Sequence, residues 1–313
     1  MVTAEHIPAV QARRNTVLAD YVELFKPRVT LMIVITAAAG FYLGSLRSGI
    51  SPLQLQFVQA MFGIALVSAG SGTLNQVMER HTDRLMPRTA HRPMAARRMG
   101  LAHGLILGFL CIAIGSAFLA ITTNPLTGML TLLTATGYVA IYTPLKRISM
   151  IATFVGAFPG ALPPLIGWTA VRGQIEWPAV ALFAVLFVWQ FPHFEAIGWL
   201  YRDDYARAGI RVTAVAVPGG GATAAQALFY AVLMLPVSLW PMWLGVTGKL
   251  YGVAAILLGA VYLAYTLRFV RITQHLPPAQ SRSIARDLLR ISVMYLPLLL
   301  AAMMLNARGR IAF

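Results

Sequence analysis

The chain has 313 residues, of which 58% are hydrophobic and only 11% charged, against about 25% charged in an ordinary soluble domain. A water-soluble globule of this size has too few charges to coat so much apolar surface, and intrinsic disorder and a small disulfide-stapled secreted domain are excluded with it. The 25 Lys and Arg against 10 Asp and Glu leave a formal charge of +15; the basic residues sit in short loops between apolar runs, as topogenic charges do, so no nucleic-acid partner is expected.

Residues 1–28 read as a polar, cytoplasmic lead-in. They lack the apolar core of a signal peptide, and Glu5, Asp20 and Glu23 argue against an Arg/Ser-rich transit peptide. Apolar runs follow at 29–46, 54–76, 101–122, 126–144, 150–170, 178–198, 222–245, 250–267 and 291–306. Each is near the ~20 residues a helix needs to cross hydrocarbon. Backbone groups in lipid must be satisfied internally, and nothing alternates with a barrel's period of two. The runs therefore predict an all-α polytopic membrane protein of nine transmembrane helices. The pair flanking Asn124-Pro125 also reads as one re-entrant unit. The single cysteine, Cys111, lies inside the third run and allows no intrachain disulfide. The expected organisation is the lead-in, one transmembrane domain over 29–306, and a tail at 307–313 on the periplasmic side.

With the N-terminus in the cytoplasm, 20 of the 25 basic residues fall on the cytoplasmic side. The other side holds Arg47, Arg172, Lys249, Arg308 and Arg310. That asymmetry predicts N-terminus in, C-terminus out; because residues 1–28 do not read as a transit peptide, the expected membrane is a bacterial inner membrane. Half of the ten carboxylates gather at two spots on the same side: Glu79 and Asp83 after the second run, and Glu195, Asp203 and Asp204 at the end of the sixth. The spots lie four spans apart and suggest an internal repeat of four-helix units with a ninth helix appended.

Asn75, Glu79 and Asp83 are spaced i, i+4, i+8. On a helix each step of four advances about 40° past a full turn and about 6 Å, so the three share one face. Two carboxylates and an amide oxygen are hard donors that suit Mg²⁺. The same residues also fit a solvated helix end, with the acids paired to Arg80 and Arg84. In the second cluster, Asp203 and Asp204 are adjacent and only one can share a face with the residues before it. They read either as a capped, solvated terminus or as the second half of a site that holds metal ions against one diphosphate. His193 fits a hydrogen-bonded packing residue as well as a ligand. Arg88, Arg92, Lys146 and Arg147 fit positive-inside anchors, or cations that neutralise a departing diphosphate.

Asn75-x-x-x-Glu79-x-x-x-Asp83, followed by Arg88-Thr89-x-x-Arg92-Pro93, resembles the first signature of the intramembrane aromatic prenyltransferase superfamily. Further segments agree in order: Phe25-Lys26-Pro27-Arg28, Tyr142-Thr143-x-x-Lys146-Arg147, Pro163-Pro164-Leu165-Ile166-Gly167-Trp168, and Pro192-His193-Phe194 with Asp204-Tyr205. His193, where the superfamily carries an Asp, is similar to the haem O synthase branch (the protoheme IX farnesyltransferases).

The resemblance implies nine helices around a central cavity open toward the cytoplasmic side. It implies farnesyl diphosphate as donor, haem b as acceptor and Mg²⁺ bound with the donor's diphosphate. It assigns Asn75, Glu79, Asp83 and Asp204, with Asp203, to the metal and diphosphate. It assigns Arg88, Lys146 and Arg147 to phosphate oxygens, and Arg92 to phosphate or a haem propionate. Tyr142 is counted with the substrate-binding residues. His193 faces the acceptor as an iron ligand or as a proton relay. A haem A synthase or a terminal oxidase is implied as an assembly partner, beside the lipid bilayer. The chain departs from the pattern at His81, where a further acid is usual, at Ser149 and Ala152, where Thr and Asn are common, and at Arg211-Val212-Thr213, where a Met-Leu-Pro-like stretch is usual. Two rivals stand beside haem farnesylation: the same metal site with a quinone-precursor aromatic ring as acceptor, and a non-enzymatic transporter or haem-handling protein. Carboxylates at span ends favour an enzyme; a carrier places them at the midplane.

Overall fold

A computed structural model describes residues 16–274 and 276–309. Expectations that fall on Glu5, Arg13, Arg14 and Arg310 lie outside the described residues. The described residues fold as helices without a named strand, and nine of those helices are long and apolar enough to cross a membrane. The chain is a multi-pass membrane protein.

A short helix α1 (Val17–Leu24) precedes the spans α2 (Pro27–Ser48), α3 (Leu55–Asp83), α4 (Leu101–Thr122), α5 (Pro125–Leu145), α6 (Ala152–Arg172) and α7 (Trp177–Leu200). Two short turns, α8 (Arg202–Arg207) and α9 (Thr213–Ala216), lead into α10 (Gly221–Trp243), α11 (Lys249–Thr273) and α12 (Pro278–Leu305). Every predicted run lies within or across one of these spans. Three helices outrun their apolar runs: α3 continues to Asp83, α11 to Thr273, and α12 begins at Pro278. Hydropathy marks the hydrocarbon, whereas backbone hydrogen bonding carries a helix on into the interface.

The re-entrant alternative at Asn124-Pro125 gives way to two separate helices. Asn124 caps α5, its Oδ1 accepting from the Thr127 N–H at 2.9 Å, and Pro125 at the first helical position needs no N–H partner. The Asn124 amide also donates to Thr169 O at 2.8 Å, tying the turn to α6.

Between apolar helices in lipid, association depends on close packing. α2 and α6 achieve it reciprocally. A Cβ on Gly40 would lie 1.9 Å from Pro164 O, and one on Gly167 would lie 1.8 Å from Ala37 O. The largest core joins α7, α10, α11 and α12 through Leu182, Met234, Tyr262, Leu288 and Leu299. A smaller one joins α2, α3 and α6 through Phe41, Ile64 and Ile166. The two cores leave the ends of α3, α5 and α7 and the starts of α2 and α6 together, at the end of the bundle that carries the basic loops.

Candidate active site

Because α3 runs unbroken to Asp83, Asn75, Glu79 and Asp83 do share a face, and that face lines a cavity of about 190 Å³. Asn75 is 1% and Asp83 2% exposed. Each of the three oxygen donors holds a different cation. Lys26 Nζ donates to Asn75 Oδ1. Lys146 Nζ donates to Glu79 Oε1 at 2.8 Å. Arg92 Nη1 donates to both Asp83 oxygens, at 2.9 and 3.1 Å.

The Asn75 amide is oriented by a short chain of donors. The Thr143 hydroxyl donates to Tyr138 O at 2.9 Å, so it accepts from Asn75 Nδ2 at 3.1 Å. That leaves Oδ1 turned to the cavity. Thr143 itself follows a π-helical segment of α5, Gly137–Tyr142. Such segments shift the register of the residues that line a site. Here Tyr138 and Tyr142 both line the cavity. The Tyr142 ring lies against Gly156, where a Cβ would come within 2.4 Å of it. It carries Lys146 Nζ 4.4 Å from its centroid.

Lys26 is placed by an unusual backbone. It caps α2 with φ +48, a left-handed conformation that costs a non-glycine residue about 1 kcal/mol or more. Gln76 holds that turn by donating to Glu23 O and Leu24 O at 3.0 and 3.2 Å. Burial, with Arg92 nearby, pulls the Lys26 ammonium down to about 7. Lys146 is equally enclosed, and burial works against its charge too. Tyr142 and Glu79 outweigh that cost and hold it well above the ordinary lysine value.

The loop after α3 folds back over the site. Thr89 Oγ1 donates to Asp83 O at 2.9 Å and closes the helix end. Arg88 lies between two rings, its Cζ 5.1 Å from the centroids of both Tyr201 and Tyr205. Five cations (Lys26, Arg88, Arg92, Lys146, Arg211) line the cavity against two carboxylates, Glu79 and Asp83, a formal surplus of three positive charges. The arrangement is built for a polyanion. The donor set of two carboxylates and one oriented amide oxygen fits Mg²⁺, which completes its shell with phosphate oxygens and water.

Residues 33–305 match the UbiA prenyltransferase family. The chain belongs to that family. It is 47% identical to a protoheme IX farnesyltransferase of Koribacter versatilis, over 93% of this chain and 94% of the relative. It is 38% identical to another of Solibacter usitatus, over 93% of this chain and 100% of the relative. Among solved structures, a digeranylgeranylglyceryl phosphate synthase superposes with a TM-score of 0.74 at 15% identity, covering 94% of this chain and 98% of that one. A UbiA homolog from Archaeoglobus fulgidus, bound to GPP and Mg²⁺, gives 0.61 at 18% identity, covering 91% and 99%. At those identities the likeness is one of fold: this is the UbiA fold.

Within that fold, the sequence-predicted residues divide. Asn75, Glu79, Asp83, Arg88, Arg92, Tyr142 and Lys146 converge on the cavity. Arg147 is exposed and lies outside its lining. Asp203 is 58% exposed in its side chain and pairs with Arg282 at 2.7 Å. Asp204 pairs with Arg207 at 3.2 Å. The reason is helical phase. In α8 it is Tyr205 that faces the cavity, and at about 100° per residue its two predecessors point elsewhere. His193 is also outside the lining. It stacks on Trp189, with centroids 5.0 Å apart, and its Nδ1 meets Ser292 Oγ at 2.8 Å. That hydroxyl donates to Leu289 O at 2.7 Å, so it accepts from Nδ1–H and leaves Nε2 as the basic ring nitrogen. Residues that sequence reasoning left out of the site are Lys26, Tyr138, Tyr205 and Arg211. Lys26 stands inside the Phe25-Lys26-Pro27-Arg28 run, and Arg211 inside a departure from the family pattern.

Proposed function

We propose that the protein joins the farnesyl group of farnesyl diphosphate to a vinyl carbon of haem b, giving haem O and diphosphate. One observation carries the donor half: three oxygen donors on one helix face, each holding a cation, in a cavity with three surplus positive charges. The likeness to relatives named protoheme IX farnesyltransferase supports the acceptor.

The cavity's ~190 Å³ falls below the roughly 300–1,000 Å³ of pockets that enclose a drug-sized ligand. It seats the diphosphate head, while the isoprenoid tail and the porphyrin lie against apolar helix surfaces. Asn75, Glu79 and Asp83 would hold Mg²⁺, which when bound neutralises charge on the departing diphosphate. Lys146, Arg92, Lys26 and Arg88 take phosphate oxygens and stabilise them as the carbon–oxygen bond breaks. The faces of Tyr138 and Tyr142 attract the allylic cation. The apolar bundle keeps water from quenching that cation before the vinyl group attacks. Farnesyl C1 bonds to the terminal vinyl carbon, a water oxygen adds to the inner one, and a proton is released. His193, with Nε2 basic, serves the acceptor from its place beside α12.

In this reading the cavity end faces the cytoplasm of a bacterial inner membrane. The charge asymmetry of 20 basic residues to five supports the N-terminus inside. A haem A synthase or terminal oxidase is the proposed assembly partner. The test is the purified protein with farnesyl diphosphate, haem b and Mg²⁺. Haem O by mass, with one diphosphate per product, is the expected result. Farnesylation of a quinone-precursor ring in its place overturns the acceptor, and no diphosphate release overturns the enzyme.

A further inference from the structure

Glu195 stands apart from this machinery. It is 3% exposed on α7, lies outside the cavity lining, and meets no cation in an ion pair among the described residues. A carboxyl that deep among apolar helices is costly unless its hydrogen bonds are made. Its oxygen meets the Thr213 hydroxyl at 3.0 Å, and that hydroxyl also lies 3.0 Å from Gln226 Oε1. Thr213 belongs to the stretch Arg211-Val212-Thr213, where the chain departs from the pattern it otherwise resembles.

The backbone explains what this contact holds. α8 ends at Arg207, and Gly209, with a φ of +69, turns the chain back on itself. Residues 210–212 then line the cavity. The crossing is fastened at three points. Met86 packs with Ala208 and Ile210. The Arg211 N–H donates to Lys146 O at 2.8 Å. Thr213 is tied to Glu195. Arg211 itself differs from the other cations of the cavity. Lys26, Lys146 and Arg92 each hold an oxygen donor, and Arg88 is clasped by two tyrosines. Among the described residues the Arg211 guanidinium meets only Ile148 O, at a long 3.4 Å, so its charge is available to an incoming phosphate.

The geometry points to residues 208–217 as a strap over the donor's diphosphate, in which Glu195 is a positioning residue that holds Arg211 in place through Thr213. This inference rests on the donor-site reading above. Its test is steady-state kinetics of the full-length protein with farnesyl diphosphate varied and haem b saturating, beside binding of farnesyl thiodiphosphate. Arg211→Ala is expected to raise the donor KM and the thiodiphosphate Kd about tenfold, with kcat within about twofold. Glu195→Ala and Thr213→Val are expected to do the same. Neither should add to Arg211→Ala, because all three act on one contact. Glu195→Gln, which can still bond to Thr213, should keep the wild-type KM. The inference is overturned if Glu195→Ala or Thr213→Val lowers kcat and leaves the donor KM unchanged, or if their effects add to that of Arg211→Ala. Thr213→Val preserves side-chain volume and decides the matter if Glu195→Ala does not assemble. Wild-type protein that releases no diphosphate overturns the donor-site reading instead, and so separates the two failures.

Discussion

Asp83→Asn separates electrostatics from shape. Asp83 is 2% exposed and takes both of its bonds from Arg92, at 2.9 and 3.1 Å. Asparagine has the same outline and keeps one acceptor oxygen, but it removes the charge. The cavity's formal surplus, five cations against two carboxylates, then rises from three to four. Breaking a fully buried ion pair costs about 3–5 kcal/mol. The Arg92 side chain is 23% exposed and retains an acceptor, which brings the expected loss of stability to about 1–3 kcal/mol. Losing one preorganised charge at a developing anion costs about 10²–10³-fold in turnover. The variant should therefore purify as a folded protein and fail as an enzyme. Haem O formation measured by chromatography across a Mg²⁺ titration gives the turnover, and thermal unfolding by intrinsic fluorescence gives the stability. Turnover within ~tenfold of wild type, with the same Mg²⁺ dependence, would refute the assignment of Asp83 to the metal–diphosphate.

Three further outcomes are expected. Gly167→Ala should lower the unfolding temperature sharply or prevent assembly, because its Cβ would fall 1.8 Å from Ala37 O and neither backbone can yield; size-exclusion profiles in detergent report it. His193→Ala should leave farnesyl thiodiphosphate affinity within about twofold while haem O formation is lost, since distant sites act independently; a donor affinity that collapses would place His193 in the donor site. At the other end of the bundle, Arg172 donates to both Glu176 oxygens at 2.8 and 2.9 Å and holds that carboxyl below its ordinary range, with Trp168 Nε1 as a further donor. A carboxylate with a lowered pKa stabilises above its unfolded value and loses that contribution as pH falls through the folded one. The gap in unfolding temperature between wild type and Glu176→Gln should thus be full near neutrality and close as pH drops below about 4.3; a gap that widens on acidification would contradict the clamp.

Much of this protein is legible in its sequence because lipid simplifies the problem. Apolar length gives the spans, and the i, i+4, i+8 spacing of Asn75, Glu79 and Asp83 gives one face of one helix. What is hidden depends on the path a chain takes after it leaves the membrane. Asp203 and Asp204 look equivalent to the first cluster as composition, yet the phase of α8 directs Tyr205 at the cavity and the acids at Arg282 and Arg207. Lys26 reaches the site only because its backbone takes a left-handed turn held by Gln76, fifty residues on in the chain. The π-helical stretch before Thr143 leaves no trace in hydropathy, and it sets which tyrosines line the cavity.

The pairing pattern also explains how so charged a cavity persists in an apolar bundle. Asn75 with Lys26, Glu79 with Lys146, and Asp83 with Arg92 leave none of the three residues on the helix face without a cation. Under the proposed function, donor binding would exchange these partners: the oxygens would hold magnesium, and the cations would take phosphate. Both carboxylates are compensated before and after, and the bound diphosphate meets the surplus of three positive charges. The exchange makes metal and diphosphate affinities interdependent, because each removes a competitor for the other's ligands. Tightening of Mg²⁺ binding by farnesyl thiodiphosphate must then equal the tightening of thiodiphosphate binding by Mg²⁺. Lys146→Met should weaken the coupling by loosening the competition at Glu79, and an unaltered coupling in that variant would mean that the two ligands do not share these residues.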